Sequence, residues 1–134
     1  VYAVERQADA VALIEKNKEK FHLGNLHVIS GDALSQLENL PKPTHVFIGG
    51  SGRELPGILE KIKKLDKNIQ VLASCVTIET LASASQCLQE GFKDYDMVQL
   101  CVSRSKTIGS YHILDSNNPV TLIWANTARK NMGL

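Results

Sequence analysis

Short aliphatic runs rich in β-branched residues alternate in this chain with segments whose apolar residues recur every three or four positions. The first pattern predicts a buried strand and the second an amphipathic helix. Strand runs lie at residues 1–4, 26–30, 45–48 and 69–75, and a helical pattern follows each of them. Because strands that alternate with helices are typical of parallel sheets covered by helices, we predict an α/β fold.

Three residues mark the ends of the predicted helices. Gly24 follows the first helical pattern and is expected to end that helix. Thr77 is placed to cap the start of the fourth helix, and Gly91 to supply a left-handed residue at its end.

The last third of the chain lacks the alternation. Residues 97–103 and 111–124 contain strand runs with no helical pattern between them, and residues 115–119 are rich in turn formers. We therefore predict an antiparallel hairpin at the C-terminal end of the sheet.

Composition limits the class of protein. With 134 residues, of which 43% are hydrophobic, the chain is expected to form one domain over residues 1–134. No apolar run approaches the roughly 20 residues that cross a bilayer, so no membrane contact is expected. A net charge of +1 argues against an extended nucleic-acid surface.

Cysteine and histidine usage points to a cytoplasmic protein without a metal. The three cysteines are widely spaced, as in a reducing compartment, and residues 1–6 carry no export signal. The four histidines are scattered, and no Cys-x-x-Cys or His-x-x-x-His spacing occurs.

Polar residues and glycines follow the predicted strands at their carboxyl ends, where open α/β sheets bind ligands. They are Glu5 and Arg6 after the first strand, Gly31, Asp32 and Ala33 after the second, Gly49, Gly50, Ser51 and Gly52 after the third, and residues 74–77 after the fourth. Together they predict a pocket for a nucleoside.

Each of these residues also has a structural interpretation. Glu5 is suited to accept hydrogen bonds from a ribose diol, or simply to favour a helix N-terminus by its charge. Asp32 is suited to accept from an adenine amino group, or to cap the next helix.

The glycine run at 49–52 lets a ligand lie against bare backbone, or forms a flexible turn. It is not a P-loop, because no Gly-Lys-Ser or Gly-Lys-Thr follows. Arg53, Arg104 and Lys106 lie near these loops and are candidates to pair with ligand carboxylates, or are solvated surface cations.

Five segments together resemble the decarboxylating precorrin-6B methyltransferases of cobalamin biosynthesis. They are Val-Tyr-Ala-Val-Glu-Arg at 1–6, Gly-Asp-Ala at 31–33, Phe-Ile-Gly-Gly-Ser-Gly at 47–52, Val-Thr-Ile-Glu-Thr at 76–80 and Val-Ser-Arg-Ser-Lys at 102–106. The resemblance implies a Rossmann-like class I methyltransferase sheet with helices on both faces and a C-terminal antiparallel hairpin. It departs from the family pattern at Ser74 and Cys75, where the family generally has Asn-Ala.

The resemblance also implies S-adenosylmethionine as the cofactor and a reduced tetrapyrrole as the substrate. The cofactor residues would be Glu5 at the ribose, Arg6 beside the adenine, Gly31, Asp32 and Ala33 at the adenine edge, and Gly49 and Gly50 at the floor of the reaction site. The substrate residues would be Ser51, Gly52, Arg53, Arg104 and Lys106. In the family, methyl transfer to meso position 15 accompanies loss of carbon dioxide from a ring acetate. No side chain is assigned a catalytic role.

The family's first strand and Gly-rich loop would precede Val1, and this sequence does not contain them. The chain therefore corresponds to the C-terminal three-quarters of the family domain. Because that strand would be central in the sheet, we expect either a homo-oligomer or a part of a longer chain, and weak cofactor binding by the chain alone.

Two other classes stay open. One is a different methyltransferase of this fold, such as a transfer-RNA adenine methyltransferase, which the near-neutral charge disfavours. The other is a non-catalytic module that keeps the fold without turnover.

Overall fold

A computed structural model describes residues 1–66, 68–92 and 94–127. The helices and strands follow one another as β1 (Tyr2–Glu5), α1 (Ala8–Lys20), β2 (His27–Ser30), α2 (Ala33–Gln36), β3 (His45–Ile48), α3 (Leu55–Leu65), β4 (Gln70–Cys75), α4 (Ile78–Gly91), β5 (Tyr95–Leu100), β6 (Ser103–Ile108), β7 (Tyr111–Ser116) and β8 (Val120–Asn126). The predicted alternation of strands and helices over the first four units is confirmed.

The chain forms two compact units, Val1–Lys42 and Pro43–Leu134. In the first, β1 and β2 pair in parallel from Tyr2 opposite His27 to Glu5 opposite Ser30. Each residue of 1–42 is exposed or partly exposed, and none is buried. A single domain over residues 1–134 stays a prediction.

The second unit is built on a four-stranded sheet in the order β3, β4, β8, β5. Strands β3 and β4 are parallel, and β8 is antiparallel to both of its neighbours. Alternate residues of β4 and β8 are buried, as expected for a sheet with one face packed on helices. The core lies on that face and includes Leu55, Ile62, Leu88 and Ile123.

Strands β6 and β7 form a separate two-stranded antiparallel sheet, which turns at Gly109 with φ +61°. All of their residues are exposed. The predicted antiparallel ending is confirmed, but it has four strands and not two. The predicted run 111–124 divides into β7 and β8. Strand β6 was missed because Ser103, Arg104, Ser105, Lys106 and Thr107 give it no apolar run.

The end of α1 differs from the prediction. Leu23 N–H donates to the Lys18 carbonyl (2.9 Å) and His22 N–H to the Glu19 carbonyl (3.2 Å), a Schellman arrangement. The left-handed residue is therefore His22, with φ +53°, and Gly24 lies two residues further on. The helix therefore ends at Lys20, earlier than predicted.

The fourth helix begins as predicted and ends differently. Thr77 Oγ1 accepts a hydrogen bond from Thr80 N–H at 3.2 Å, which confirms the cap. Gly91 has no left-handed backbone, and the residue that follows it is extended. A methyl group at Gly91 would instead lie 3.2 Å from Lys63 Nζ, so the glycine accommodates a side chain of α3.

None of the helices in the part of the chain that the structure describes has both the length and the apolar character needed to traverse a bilayer.

Candidate functional site

The first group of predicted site residues lies at the carboxyl ends of β1 and β2. Glu5 is opposite Ser30, and the Glu5 carbonyl accepts a hydrogen bond of 2.9 Å from Gly31 N–H. This pairing places Glu5 beside the segment 31–33, as two parallel strands that end together require. The structure thus brings Glu5, Arg6, Gly31, Asp32 and Ala33 to one end of the first unit.

The Glu5 carboxylate is oriented by the start of α1. Its Oε1 accepts a 2.8 Å hydrogen bond from Gln7 N–H, and Gln7 is the N-cap residue of that helix. The interaction supports the helix N-terminus interpretation, because it satisfies the backbone N–H of the N-cap residue, which has no acceptor within the helix. No partner of Oε2 is found within the described residues, so this oxygen is available for a ligand hydroxyl.

Asp32 is the N-cap of α2. Its Oδ1 accepts from Ser35 N–H at 3.1 Å and from Ser35 Oγ at 3.2 Å. The capping interpretation of Asp32 is therefore confirmed, while contact with an adenine stays a prediction. Neighbouring Gly31 has φ +152°, and a methyl group there would lie 2.9 Å from Gln36 Nε2. The chain's own Gln36 side chain thus lies against this glycine.

The glycine run after β3 forms a loop in which two glycines have left-handed backbone. Gly50 and Gly52 have φ of +63° and +51°, where residues with a Cβ are strained. A methyl group at either position would meet no atom within 4 Å, so open space adjoins the backbone. At Gly49 a methyl group would lie 3.3 Å from the Phe47 ring and 3.5 Å from Ser74 Oγ.

Of the predicted substrate residues, Ser51, Gly52 and Arg53 adjoin this loop, and Arg53 is exposed in the short 3₁₀ turn that precedes α3. Arg104 and Lys106 lie instead on β6, where alternation along the strand puts both on one face of the hairpin. The predicted site residues therefore lie in three places along the chain: after β1 and β2, in the loop after β3, and on β6. Their convergence on one pocket stays a prediction.

Sequence reasoning missed Asp115, which it treated as part of a turn. Asp115 lies in β7 opposite Arg104, and its Oδ2 is 3.3 Å from Lys106 Nζ. The carboxylate therefore partly neutralises the cationic face of the hairpin. No local signal reveals this position, because it follows from the register across Gly109.

Cys75 and Cys87 are poor nucleophiles near neutral pH. Burial raises the pKa of the Cys75 thiol, and burial together with the charges of Glu90 and Glu60 raises the pKa of Cys87. Both thiols are therefore protonated near neutral pH, and Cys75 is a core residue. Within the described residues, no three His, Cys, Asp or Glu side chains are grouped so as to hold a metal.

The fold is that of the class I S-adenosylmethionine-dependent methyltransferases. A SAM-dependent O-methyltransferase from Thermotoga maritima, at 15% identity, matches it with a TM-score of 0.69 over 98% of this chain. Within that class the chain belongs to the family described as "Precorrin methyltransferase domain", whose model matches residues 1–128.

Similar proteins carry related names. A protein of Pyrobaculum calidifontis named "Probable cobalt-precorrin-6B C(15)-methyltransferase (decarboxylating)" is 37% identical over 127 residues, which are 93% of this chain. A crystal structure of precorrin 8W decarboxylase from Methanobacterium thermoautotrophicum matches with a TM-score of 0.84 at 33% identity. That match covers 93% of this chain and 68% of the other. The chain spans 65% of the length of the Pyrobaculum relative.

Proposed function

We propose that this chain belongs to an S-adenosylmethionine-dependent C-methyltransferase that acts on precorrin-6B or cobalt-precorrin-6B at meso position 15 and decarboxylates a ring acetate in cobalamin biosynthesis. The observation that carries the proposal is the family match over residues 1–128, which includes every segment that follows β1, β2, β3 and β4. The relatives' printed names supply the reaction and the substrate class.

The first unit fits the nucleoside end of the proposed cofactor. Gln7 N–H fixes one carboxylate oxygen of Glu5, so the other has a defined position from which to accept ribose hydroxyls. Asp32 keeps Oδ1 on the cap of α2. We propose that Oδ2, together with Ala33, contacts the adenine edge, and that Arg6 lies beside the ring.

S-adenosylmethionine, when bound, supplies a methyl group already activated on a sulfonium. The protein's task is therefore mainly alignment, which by itself can contribute a large part of the rate. Gly49 and Gly50 suit this task because their bare backbone leaves open space beside Gly50 for two reactants to approach. An electron-rich meso carbon needs no strong base, so the proposal assigns no residue a proton-transfer role.

The proposed substrate carries carboxylate side chains, and cations serve to hold them. Arg53 follows the glycine loop, while Arg104 and Lys106 share one exposed face of the hairpin. Arginine is suited to bidentate contact with a carboxylate, and lysine acts as a point charge. We assign Ser51, Gly52, Arg53, Arg104 and Lys106 to substrate binding.

We also propose that the protein is cytoplasmic and self-associates. The hairpin supports self-association, since Ile108 and Tyr111 are 53% and 76% exposed on one of its faces. Exposed apolar side chains on a two-stranded sheet with open edges are suited to a second copy of that sheet.

Ligand-observed NMR with the 134-residue chain tests the cofactor class. We expect saturation-transfer signals for S-adenosylhomocysteine and none for NAD⁺ at the same concentration. We expect affinity weaker than micromolar, because residues 1–42 include no fully buried side chain and ordering exposed residues around a ligand costs free energy. Equal signals for both ligands, or none for S-adenosylhomocysteine, would contradict the proposal.

A further inference from the structure

The carboxyl ends of β3 and β4 place Ser74 directly beside Gly49. The parallel register runs to Ile48 opposite Ala73, so the next residues along the two strands are Gly49 and Ser74. Ser74 Oγ would lie 3.5 Å from a methyl group on Gly49. The hydroxyl therefore lies over the backbone of the first glycine in the loop.

The Ser74 hydroxyl makes no hydrogen bond within residues 1–66, 68–92 and 94–127. Because no fully buried side-chain oxygen in these residues lacks a partner, the hydroxyl of this partly buried residue is accessible to solvent and to a ligand. The similarly buried Ser85 hydroxyl, by contrast, lies 2.9 Å from Tyr95 Oη. A hydroxyl supplies one donor and two acceptor sites, and those of Ser74 face accessible space beside the glycine loop. The Ser74 hydroxyl is thus a donor that the fold holds at the glycine floor without using it.

We propose that Ser74 is a binding residue that donates a hydrogen bond to a carboxylate of the tetrapyrrole where the substrate lies over Gly49. The inference rests on the proposed function and adds a residue to its substrate site. A carboxylate is the acceptor that this substrate class offers in abundance, and a charged acceptor strengthens the bond from a neutral donor.

A neutral donor has a specific advantage at a site that also removes a carboxylate. Loss of carbon dioxide takes negative charge away from the carboxylate, so a cation at that oxygen stabilises the reactant more than the transition state. A hydroxyl orients the group with a smaller penalty of this kind. The apolar Phe47 ring, 3.3 Å from the same point over Gly49, adds no charge.

Fluorescence titration with uroporphyrin tests the proposal, since this stable tetrapyrrole carries acetate and propionate side chains. Ser74→Ala is expected to weaken uroporphyrin binding about tenfold, the effect of losing one hydrogen bond to a charged group. Ser74→Asn, which restores a donor, is expected to recover most of the affinity. Ser83→Ala is the matched control, because Ser83 is a partly buried serine within α4.

Binding of S-adenosylhomocysteine to the same variants separates the sources of the carboxylate. Unchanged binding of this ligand by Ser74→Ala, with weakened uroporphyrin binding, supports a substrate role. Weakened binding of S-adenosylhomocysteine alone overturns the substrate assignment, since the cofactor's methionyl carboxylate would be the acceptor. Unchanged binding of both ligands overturns the proposal while the proposed function stands. If the unmodified chain binds neither ligand, the proposed function fails and this inference with it.

Discussion

Lys106 Nζ lies 3.3 Å from Oδ2 of Asp115 across the β6–β7 hairpin, and Arg104 is paired in register with the same aspartate. One carboxylate therefore serves two cations that we assign to substrate binding. Both side chains of the ion pair are 59% exposed, so solvent screens it and its contribution to stability is below about 0.5 kcal/mol. Its main effect is on the charge that the hairpin presents to a ligand.

Asp115→Asn is expected to strengthen uroporphyrin binding severalfold, because it removes the negative charge beside Arg104 and Lys106. The gain should shrink as salt rises from low to physiological concentration, since these charges are exposed. Fluorescence titration at two salt concentrations measures both effects. Asp94→Asn, at an exposed position outside the hairpin, is the control for net charge. An equal gain in both variants would show that only overall charge matters.

Glu5→Gln is expected to weaken S-adenosylhomocysteine binding about tenfold, because an amide oxygen is a weaker acceptor for ribose hydroxyls than a carboxylate. The fold should persist, since the glutamine carbonyl can still accept the hydrogen bond from Gln7 N–H. Dissociation constants from ligand-observed NMR measure the effect, and circular dichroism checks the helix content. Glu19→Gln, at an exposed position of α1, should bind like the unmodified chain. Similar losses in the two variants would remove Glu5 from the ribose site.

His22→Gly is expected to raise the free energy of unfolding by about 0.5–1 kcal/mol, because glycine adopts the left-handed region without the strain of a Cβ. Gly24→Ala should leave stability nearly unchanged, since its backbone is not left-handed and a methyl group there meets no atom within 4 Å. Urea unfolding measures both. The opposite ranking would restore Gly24 as the residue that ends α1.

The helix–strand alternation was readable from sequence because periods of two and of about 3.6 are local properties of each segment. Pairings across the chain were not. Gly49 meets Ser74, and Asp115 meets Lys106, only because of strand registers that no local pattern encodes. The left-handed residue at the end of α1 was missed for a related reason: glycine favours that conformation, but histidine adopts it here where the Schellman hydrogen bonds form.

The thiols are expected to react with iodoacetamide in the order Cys101, Cys87, Cys75. Cys101 is exposed, whereas burial raises the pKa of the other two thiols and so lowers their thiolate fraction at pH 8. Mass spectrometry of a time course gives the order. Early labelling of Cys75 in native buffer would contradict its burial.

The raised pKa of the buried thiols also makes stability depend on pH. The stability that comes from keeping a thiol protonated is present at lower pH and is lost as pH rises above the ordinary cysteine value of 9.0. The free energy of unfolding should therefore fall in alkaline buffer.

Self-association through the hairpin predicts a face-specific effect of added charge. Ile108 and Tyr111 lie opposite each other at the turn end of the hairpin, Arg104 lies at its other end, and Leu114 lies on the opposite face. The double variant Ile108→Lys and Tyr111→Lys is expected to sediment as a monomer at concentrations where the unmodified chain forms a larger species, because two added ammonium groups at the turn end are costly to bury against a second copy. Leu114→Lys, at a residue 75% exposed, is the matched control and should keep the larger species. Sedimentation velocity gives the masses. Loss of assembly in both variants, or a monomeric unmodified chain, would contradict association through this face.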